Sequence, residues 1–286
     1  MFFTKLQSVG NDFILIETSD TDCDWATLAR SMCHRRFGIG SDGLLLLIPT
    51  AKADFRMRMF NPDGTEAEAC GNGIRCLIKY CADMKLTDNR IDSLTIETAA
   101  GLRKAGFCRK DGKADRIQTS MGKPEFEVKK IPVALESCKG RVVSNKLIAE
   151  YPVPINGTDV LLNFVSMGNP HAVYFQDKPV NEFPLCQIGP IVEHHKEFPR
   201  RVNFEVARVI NRKQIDVRVW ERGACETLGC GTGACAVAVT SRLLGYTDNN
   251  VNIKLPGGVL EVDWDGEGEV YLSGIAEIVF AGDWKK

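Results

Sequence analysis

The stretch Asp54-Phe-Arg-Met-Arg-Met-Phe60 returns 160 residues later as Gln214-Ile-Asp-Val-Arg-Val-Trp220. In both copies large apolar side chains alternate with polar ones, which is the pattern of a strand with one buried face. The match continues through the loop that follows, where Cys70-Gly-Asn-Gly73 meets Cys230-Gly-Thr-Gly233. Two copies at this distance are too few and too long for a solenoid. We therefore interpret the chain as a duplicated domain.

Segments outside this match indicate a mixed α/β chain. Val9-Gly-Asn-Asp-Phe13 resembles Met167-Gly-Asn-Pro-His171 at an offset of 158. Helix and strand patterns alternate along the chain: Trp25–Arg36 is predicted to be a helix, and the apolar run Leu44–Ile48 a buried strand. The prolines of Tyr151-Pro-Val-Pro154 predict a connection at that point.

Composition and charge restrict the partners. The chain has 286 residues, with 36 Lys and Arg against 37 Asp and Glu and a formal net charge of -1. This balance provides no basic surface for a nucleic acid or an anionic membrane. No apolar run approaches the length of a membrane span, and the start Met1–Phe13 has no secretory or transit character. We therefore expect a cytoplasmic protein.

The eleven cysteines form an odd and unusually large set for a chain without an export signal. A disulfide framework is not expected in that setting. The closest groups, at positions 70, 76 and 81 and at positions 225, 230 and 235, lack the spacing of a zinc finger. Most of the cysteines are expected to be reduced, buried and small apolar residues, and no metal site is predicted.

The two Cys-Gly-x-Gly loops suggest a chemical function. Each is predicted to open a helix, whose first N–H groups are unpaired and favour an anion such as a carboxylate. A cysteine at a helix N-terminus is expected to have a lowered pKa. Inversion of a carbon centre needs a base on one face and an acid on the other, and two thiols can supply both roles. The competing interpretation is that Cys70 and Cys230 are core cysteines beside tight turns.

Two other patterns do not predict a cofactor or metal site. Gly38-Ile-Gly-Ser-Asp-Gly43 matches G-x-G-x-x-G, but a helix precedes it and a strand follows, the reverse of a dinucleotide site. Glu193-His-His-Lys-Glu197 lacks the helical spacing of metal-binding histidines and is predicted to be a solvated helical face. No lysine lies in a context that indicates pyridoxal phosphate (PLP).

The residues around both cysteines resemble a known family. Asn61-x-Asp63-Gly64-Thr65-x4-Cys70-Gly71-Asn72-Gly73-x-Arg75 is similar to the signature of the diaminopimelate epimerases, with Thr65 where Ser is usual. Glu221-Arg222-Gly223-x-x-Glu226-Thr227-x-x-Cys230-Gly231-Thr232-Gly233 resembles the second cysteine loop of that family. The segments around Asn11, Asn169 and Asn203 also fit, so the resemblance covers essentially the whole chain.

The resemblance implies an α+β fold of two pseudo-symmetric domains, each a curved mixed β-sheet or barrel around a central helix. The N-terminal half would span residues 1–123, with residues 275–286 returning to it as a last strand. The C-terminal half would span residues 124–274. The wider superfamily, which includes proline racemase, shares the duplicated fold but not this whole motif set.

The resemblance also implies a function. The family interconverts LL- and meso-diaminopimelate by a two-base thiol mechanism, without PLP, metal or any other cofactor, in lysine and peptidoglycan precursor biosynthesis. The expected partner is a small amino-acid substrate, and the expected assembly is a homodimer in the cytoplasm.

Matched positions assign the site residues. Cys70 and Cys230 would be the catalytic acid and base, with His171 and Glu221 modulating their pKa values. The substrate-binding residues implied by position are Asn11, Asn61, Gly71, Asn72, Asn169, Asn203, Glu221, Arg222, Gly231 and Thr232. The chemistry fits these types, since Arg binds a carboxylate in bidentate fashion and Asn both donates and accepts.

Two positions differ from the family pattern, and two other functions are compatible with the sequence. Cys225 stands where the family usually has Gly, and Gly43 stands where some members carry a substrate-binding Gln. A racemase of the same fold acting on another amino acid is one alternative. A non-catalytic thiol protein, such as a redox sensor, is another.

Overall fold

The structure is a computed structural model that describes residues 1–67, 70–88, 91–134, 140–144 and 147–285. Its strands are, in chain order, β1 (Phe2–Ser8), β2 (Asn11–Glu17), β3 (Gly43–Ile48), β4 (Phe55–Phe60), β5 (Glu66–Ala67), β6 (Ser93–Thr98), β7 (Gly101–Lys110), β8 (Lys113–Ser120), β9 (Arg141–Val143), β10 (Leu147–Ile155), β11 (Thr158–Ser166), β12 (Pro170–Phe175), β13 (Asn203–Asn211), β14 (Gln214–Glu221), β15 (Cys225–Thr227), β16 (Asn250–Leu255), β17 (Gly258–Asp263), β18 (Tyr271–Gly274) and β19 (Glu277–Asp283). The α-helices are α1 (Trp25–Cys33), α2 (Gly71–Asp83), α3 (Leu185–Glu193) and α4 (Gly231–Leu243), and a 3₁₀ turn covers Val180–Glu182.

The chain divides into two compact units. The first unit contains Met1–Ser120 and Ser273–Lys286, and the second contains Met121–Leu272. Each unit is dominated by a mixed β-sheet with two α-helices. Strands from both ends of the chain enter the first unit, and its sheet is completed by the pairing of β19 with β1.

The sheet of the first unit runs β19-β1-β2-β3-β4-β6-β7-β8, with the short β5 added beside β4. The β2–β3 and β4–β6 pairs are parallel, and the other pairs are antiparallel. Helix α2 is buried against the sheet and contributes Ile74, Leu77 and Ile78 to the core. It begins directly after the first Cys-Gly-x-Gly cysteine.

The sheet of the second unit repeats this arrangement. It runs β9-β10-β11-β12-β13-β14-β16-β17, with the short β15 beside β14, and the β12–β13 and β14–β16 pairs are parallel. Helix α4 has the same 13-residue length as α2 and starts 160 residues later. The duplication predicted from the sequence is therefore confirmed, down to the position of the parallel pairs.

Three local predictions were wrong. Helix α1 ends at Cys33 rather than Arg36, because Gly38 folds back against it and a β-carbon on Gly38 would lie 2.2 Å from a helix carbonyl. The segment Tyr151–Pro154 lies inside strand β10, not in a connection. Beyond Ala149 this strand no longer pairs with β9, so prolines whose nitrogens face that side cost no ladder hydrogen bond.

The third correction concerns residues 193–197, which are not a solvated helical face. Helix α3 ends at Glu193, and the side chains of Glu193 and Glu197 are only 3% and 5% exposed. Glu193 accepts two hydrogen bonds, described below, and Tyr151 donates to Glu197 at 3.4 Å. The two glutamates of this segment are therefore paired inside the protein, whereas His194 and Lys196 between them are exposed.

Candidate active site

In the first unit, Cys70 is the N-cap of helix α2. Its backbone is extended, and its sulfur accepts a hydrogen bond from the N–H of Gly73 at 3.4 Å. The helix proper starts at Gly71, so the thiol lies at the N-terminal end of α2. Gly73 packs closely against the core, because a β-carbon there would lie 3.2 Å from Leu45 Cδ2.

A polar network lies beside Cys70. The buried Arg75 guanidinium donates to Ser8 Oγ at 3.0 Å and to the side-chain oxygen of Asn72. Asn72 Nδ2 in turn donates to Asn11 Oδ1 at 3.0 Å, and Asn11 Nδ2 donates to Asp42 at 2.8 Å. Arg75 is fully buried, so the network orients two of the predicted substrate-binding side chains from within the core.

Asn61, also predicted to bind substrate, lies at the end of β4. Its Nδ2 donates to Thr65 Oγ1 at 2.9 Å, and the Thr65 hydroxyl donates to Asp63 at 2.6 Å. Arg30 of helix α1 donates to the Asp63 carbonyl at 2.9 Å. In this structure Asn61 therefore holds its own turn, the role that asparagine often has in loops.

In the second unit, Cys230 is the N-cap of helix α4. Its sulfur accepts the Gly233 N–H at 3.4 Å and lies 3.4 Å from Thr232 Oγ1. Gly231 is the first residue of the helix, as Gly71 is in the first unit. Both Cys-Gly-x-Gly motifs thus form the same local structure, a thiol set among the open N–H groups of a buried helix.

The electrostatic setting of Cys230 differs from the sequence prediction. Burial raises the pKa of the Cys230 thiol well above its usual value, and the nearby charge of Glu221 raises it further. Hydrogen bonds from Thr232 and the Gly233 N–H favour the thiolate but do not outweigh desolvation. Burial also raises the pKa of the Glu221 carboxyl, although the Thr227 hydroxyl bonds to it. The expectation of a lowered thiol pKa is therefore wrong for Cys230.

A chain of hydrogen bonds leads away from Cys230. Asn169 Nδ2 donates to Thr232 Oγ1 at 3.3 Å, and Asn169 Oδ1 lies 2.9 Å from His171 Nε2. His171 Nδ1 lies 2.7 Å from Glu205 Oε1, and the His171 and Glu205 side chains are fully buried. The structure thus brings together Cys230, Thr232, Asn169 and His171, all of which the sequence singled out.

Glu205 was missed by the sequence analysis. It alternates with Val202, Phe204 and Val206, a pattern that normally places the polar residue towards solvent. The internal match could have indicated that Glu205 is buried. Position 205 aligns with Leu45, which lies within the apolar run Leu44–Ile48.

The predicted residues Asn203 and Arg222 are linked through the backbone. Asn203 Oδ1 accepts the Arg222 N–H at 2.9 Å, and Asn203 Nδ2 donates to the Pro170 carbonyl at 2.9 Å. The Arg222 side chain is exposed and reaches the Arg200 carbonyl at 3.3 Å. Asn203 therefore holds the loop that presents the guanidinium.

The same loop is held from helix α3. Glu193 accepts the Trp220 indole N–H at 2.8 Å and the Gly223 N–H at 2.9 Å. The Trp220 ring packs directly on the helix, since a β-carbon on Gly189 would lie 2.5 Å from it. Glu193 was not recognised from the sequence, because its contacts come from residues far along the chain.

No helix among the described residues has the length and apolar character needed to cross a membrane. Across the same residues, no cluster of three or more His, Cys, Asp or Glu side chains is arranged to hold a metal ion.

Comparison with known proteins gives a consistent result. The family model for diaminopimelate epimerase matches residues 3–127 and 163–279. The diaminopimelate epimerase of Moorella thermoacetica is 42% identical over 287 residues, covering 99% of both chains. The enzyme of the same name from Desulfovibrio desulfuricans is 45% identical over 284 residues, covering 99% of this chain and 97% of that one.

Solved structures share the fold at much lower identity. A probable proline racemase from Agrobacterium radiobacter K84 superposes with a TM-score of 0.70 at 15% identity, over 99% of this chain and 92% of that chain. A hydroxyproline epimerase from Agrobacterium vitis gives 0.69 at 15% identity, over 99% and 90%. The predicted fold class is confirmed by these likenesses.

Proposed function

Because the chain belongs to the diaminopimelate epimerase family and is an isomerase, we propose that it interconverts LL- and meso-diaminopimelate. The observation that carries this proposal at the site is the repeated capping geometry. Cys70 and Cys230 occupy the same position, the N-cap, in the two copies of one structural unit. Two thiols at equivalent helix starts fit a reaction that can begin from either epimer of the substrate.

In the proposed reaction, one cysteine thiolate removes the proton from the substrate Cα and becomes a thiol. The other thiol delivers its proton to the opposite face of the same carbon and becomes a thiolate. No electron leaves or enters, and the C–H bond broken on one face is replaced by one on the other. Burial raises the pKa of the Cys230 thiol and so favours its protonated form, and we therefore propose Cys230 as the acid of the resting pair.

The acidity of the Cα–H must be increased by the site, because an amino-acid Cα–H is far less acidic than a thiol. We propose that the substrate α-carboxylate takes up the open N–H groups of Gly71, Asn72, Gly231 and Thr232 at the two helix starts. Such fixed donors stabilise the negative charge that develops on the carboxylate as the proton leaves.

The remaining residues would hold the rest of the substrate. We assign the exposed Arg222 guanidinium to the distal carboxylate, which it can bind through two N–H groups. Asn11, Asn61, Asn169 and Asn203 would bind the amino and distal carboxylate groups, and Glu221 the ammonium. The proposed pKa-modulating residues are His171, which lies on the hydrogen-bonded chain from Cys230, and Glu221, whose charge acts on the thiol.

We further propose the setting of the activity. The two halves of the duplicated enzyme would span residues 1–123 with 275–286 and residues 124–274. The protein would act as a cytoplasmic homodimer in lysine and peptidoglycan precursor biosynthesis, with no cofactor beyond its own thiols.

The test is isotope exchange. The protein is incubated with LL-diaminopimelate in D2O, and deuterium at Cα and conversion to the meso form are followed by mass spectrometry and chiral chromatography. The proposal predicts that deuterium enters Cα as the meso form appears. Well-folded protein that exchanges proline but not diaminopimelate would indicate a racemase of another amino acid, and no exchange with either would indicate a thiol protein without this activity.

A further inference from the structure

The two cysteine sites differ in one buried pair of residues. By the internal match, Phe13 and Leu45 of the first unit align with His171 and Glu205 of the second. The strand registers agree, because Phe13 lies opposite Gly43 in the β2–β3 pair and His171 lies opposite Asn203 in the β12–β13 pair. An apolar pair in one copy is therefore an ionisable pair in the other.

The substituted pair lies directly beneath the start of the cysteine-capped helix. A β-carbon on Gly73 would lie 3.2 Å from Leu45 Cδ2, and a β-carbon on the equivalent Gly233 would lie 2.9 Å from Glu205 Oε1. All four residues of the two pairs are 0% exposed. Leu45 and Glu205 thus occupy the same place in the two copies, with opposite chemical character.

Stability does not explain the polar pair. A buried ion pair usually stabilises a fold no better than apolar residues of similar volume, because both charges lose their hydration. The first unit shows that an apolar pair fills this place. Glu205 is also incompletely satisfied, since its Oε2 is buried and has no hydrogen-bond partner among the described residues. A costly group at this position therefore indicates a role in the site.

The pair lies at the far end of a hydrogen-bonded chain that reaches Cys230 through Asn169 and Thr232. His171 lies between two oxygens, with Nδ1 2.7 Å from Glu205 Oε1 and Nε2 2.9 Å from Asn169 Oδ1. Asn169 in turn presents its Nδ2 to Thr232 Oγ1. The Thr232 hydroxyl, which accepts from Asn169, can then donate its own hydrogen to the sulfur of Cys230, 3.4 Å away.

We propose that Glu205 is a positioning residue that acts through His171, Asn169 and Thr232 to aim a hydrogen-bond donor at the sulfur of Cys230. The first unit has Leu45 in its place, so this control belongs to one of the two cysteines. The inference rests on the proposed function for its role in turnover, but the hydrogen-bonded chain itself can be tested without substrate.

Several titratable groups surround the Cys230 thiol, so the test must distinguish an effect of hydrogen bonding from an effect of nearby charge. Glu221 of β14, Glu205 of β13 and His171 of β12 all face the start of α4. A donor aimed at sulfur favours the thiolate, whereas the negative charge of Glu205 acting through space disfavours it. If the hydrogen-bonded chain dominates, removal of the Glu205 charge raises the pKa of Cys230. If the through-space charge dominates, the same change lowers that pKa.

The experiment measures alkylation of each cysteine by iodoacetamide in the folded protein across a pH series, with peptide mass spectrometry to resolve Cys70 from Cys230. In Glu205→Gln the ring of His171 loses its anionic partner and the chain loses its direction. We expect the Cys230 midpoint to rise by about one pH unit, which means about tenfold slower alkylation below the midpoint. Cys70 alkylation stays as in the unaltered protein.

Further variants test the same chain. Glu205→Asp keeps the carboxylate and is expected to restore the Cys230 profile towards that of the unaltered protein. The double change His171→Phe with Glu205→Leu copies the first unit into the second and is expected to match Glu205→Gln. Glu182→Gln, which alters an exposed glutamate of the same unit, is the control and is expected to leave both profiles unchanged.

The outcomes are distinct. A fall in the Cys230 midpoint in Glu205→Gln would show a simple charge effect and overturn the proposal, as would an unchanged midpoint or an equal shift at Cys70. If the alkylation shift occurs but the protein does not exchange diaminopimelate in D2O, the hydrogen-bonded chain stands and the proposed substrate fails. If diaminopimelate is turned over and the shift is absent, only the role of Glu205 fails.

Discussion

Arg218 and Glu226 form a bidentate ion pair, with N–O distances of 2.7 and 2.9 Å, that fastens the short β15 to β14. The pair recurs 160 residues earlier as Arg58 and Glu66, at 2.7 and 2.9 Å between β4 and β5. Each pair joins the two strands that precede a cysteine-capped helix. The duplication therefore extends beyond the fold to the ion pair that shapes each loop.

The two arginines are expected to differ in their contribution to stability. Arg218 also donates to the Val180 and Phe183 carbonyls at 2.9 Å each, whereas the only other hydrogen bond described for Arg58 is a 3.5 Å contact with the Thr21 carbonyl. We expect Arg218→Met to lower the free energy of unfolding by about 2–3 kcal/mol and Arg58→Met by about 1 kcal/mol. Urea denaturation measures both values, and equal losses would contradict the extra role of Arg218.

Removal of either N-cap cysteine should nearly abolish epimerisation. The reaction needs one base and one acid, so Cys70→Ala and Cys230→Ala are each expected to reduce kcat by at least about a thousandfold. Cys→Ser should also be severe, because a hydroxyl is a much weaker acid than a thiol. Cys108→Ala, on an exposed cysteine of β7, is the control. Comparable loss in that control would show that the assignment of the pair is wrong.

Glu193 is expected to affect substrate binding through the loop that carries Arg222. The Glu193 carboxylate accepts from both Trp220 and Gly223, and a glutamine can satisfy only one of these donors with its single oxygen. Glu193→Gln should therefore raise KM for diaminopimelate by about tenfold, the effect of one lost hydrogen bond to a charged group, with kcat changed by less than about twofold. Steady-state kinetics with Glu267→Gln, an exposed glutamate, as control would test this; a fall in kcat at constant KM would count against it.

Acid stability should depend on Asp12. Burial alone would raise the pKa of this carboxyl, but hydrogen bonds from Arg35 and Lys5 outweigh it and lower the pKa from 3.8 to about 2. A carboxyl with a depressed pKa stabilises the fold above its unfolded pKa and loses that contribution as pH falls towards its folded pKa. The contribution should therefore disappear between about pH 4 and pH 2, and its size is about 1–2 kcal/mol after solvent screening.

The measurement for Asp12 is the free energy of unfolding in urea at several pH values. Asp12→Asn should be less stable than the unaltered protein above about pH 4, and the difference should shrink as the pH is lowered. Asp159→Asn, which changes an exposed carboxylate of β11, should follow the unaltered protein at every pH. A constant difference between Asp12→Asn and the unaltered protein would refute the assignment.

Activity should not require a metal ion or PLP, because two thiols suffice as acid and base. We expect turnover to survive prolonged dialysis against EDTA and treatment with hydroxylamine, which removes PLP from its lysine. Loss of activity that is restored by adding a metal or PLP would contradict the two-thiol mechanism. Iodoacetamide should inactivate the enzyme, and substrate should protect it.

Much of this protein could be predicted from local patterns in its sequence. The alternation in Asp54–Phe60 and Gln214–Trp220 predicted strands β4 and β14, and the two Cys-Gly-x-Gly motifs predicted the starts of α2 and α4. These features depend on side-chain periodicity and on the backbone freedom of glycine, which are properties of a few neighbouring residues.

Burial and pairing of the polar residues could be decided only by the tertiary structure. Glu205 and Glu193 have the sequence surroundings of exposed residues, yet they are 0% and 3% exposed because α4 and the β14 loop cover them. The same covering raises the pKa of Cys230, against the local effect of its helix N-terminus. Desolvation depends on every atom packed around a group, and most of those atoms come from distant parts of the chain.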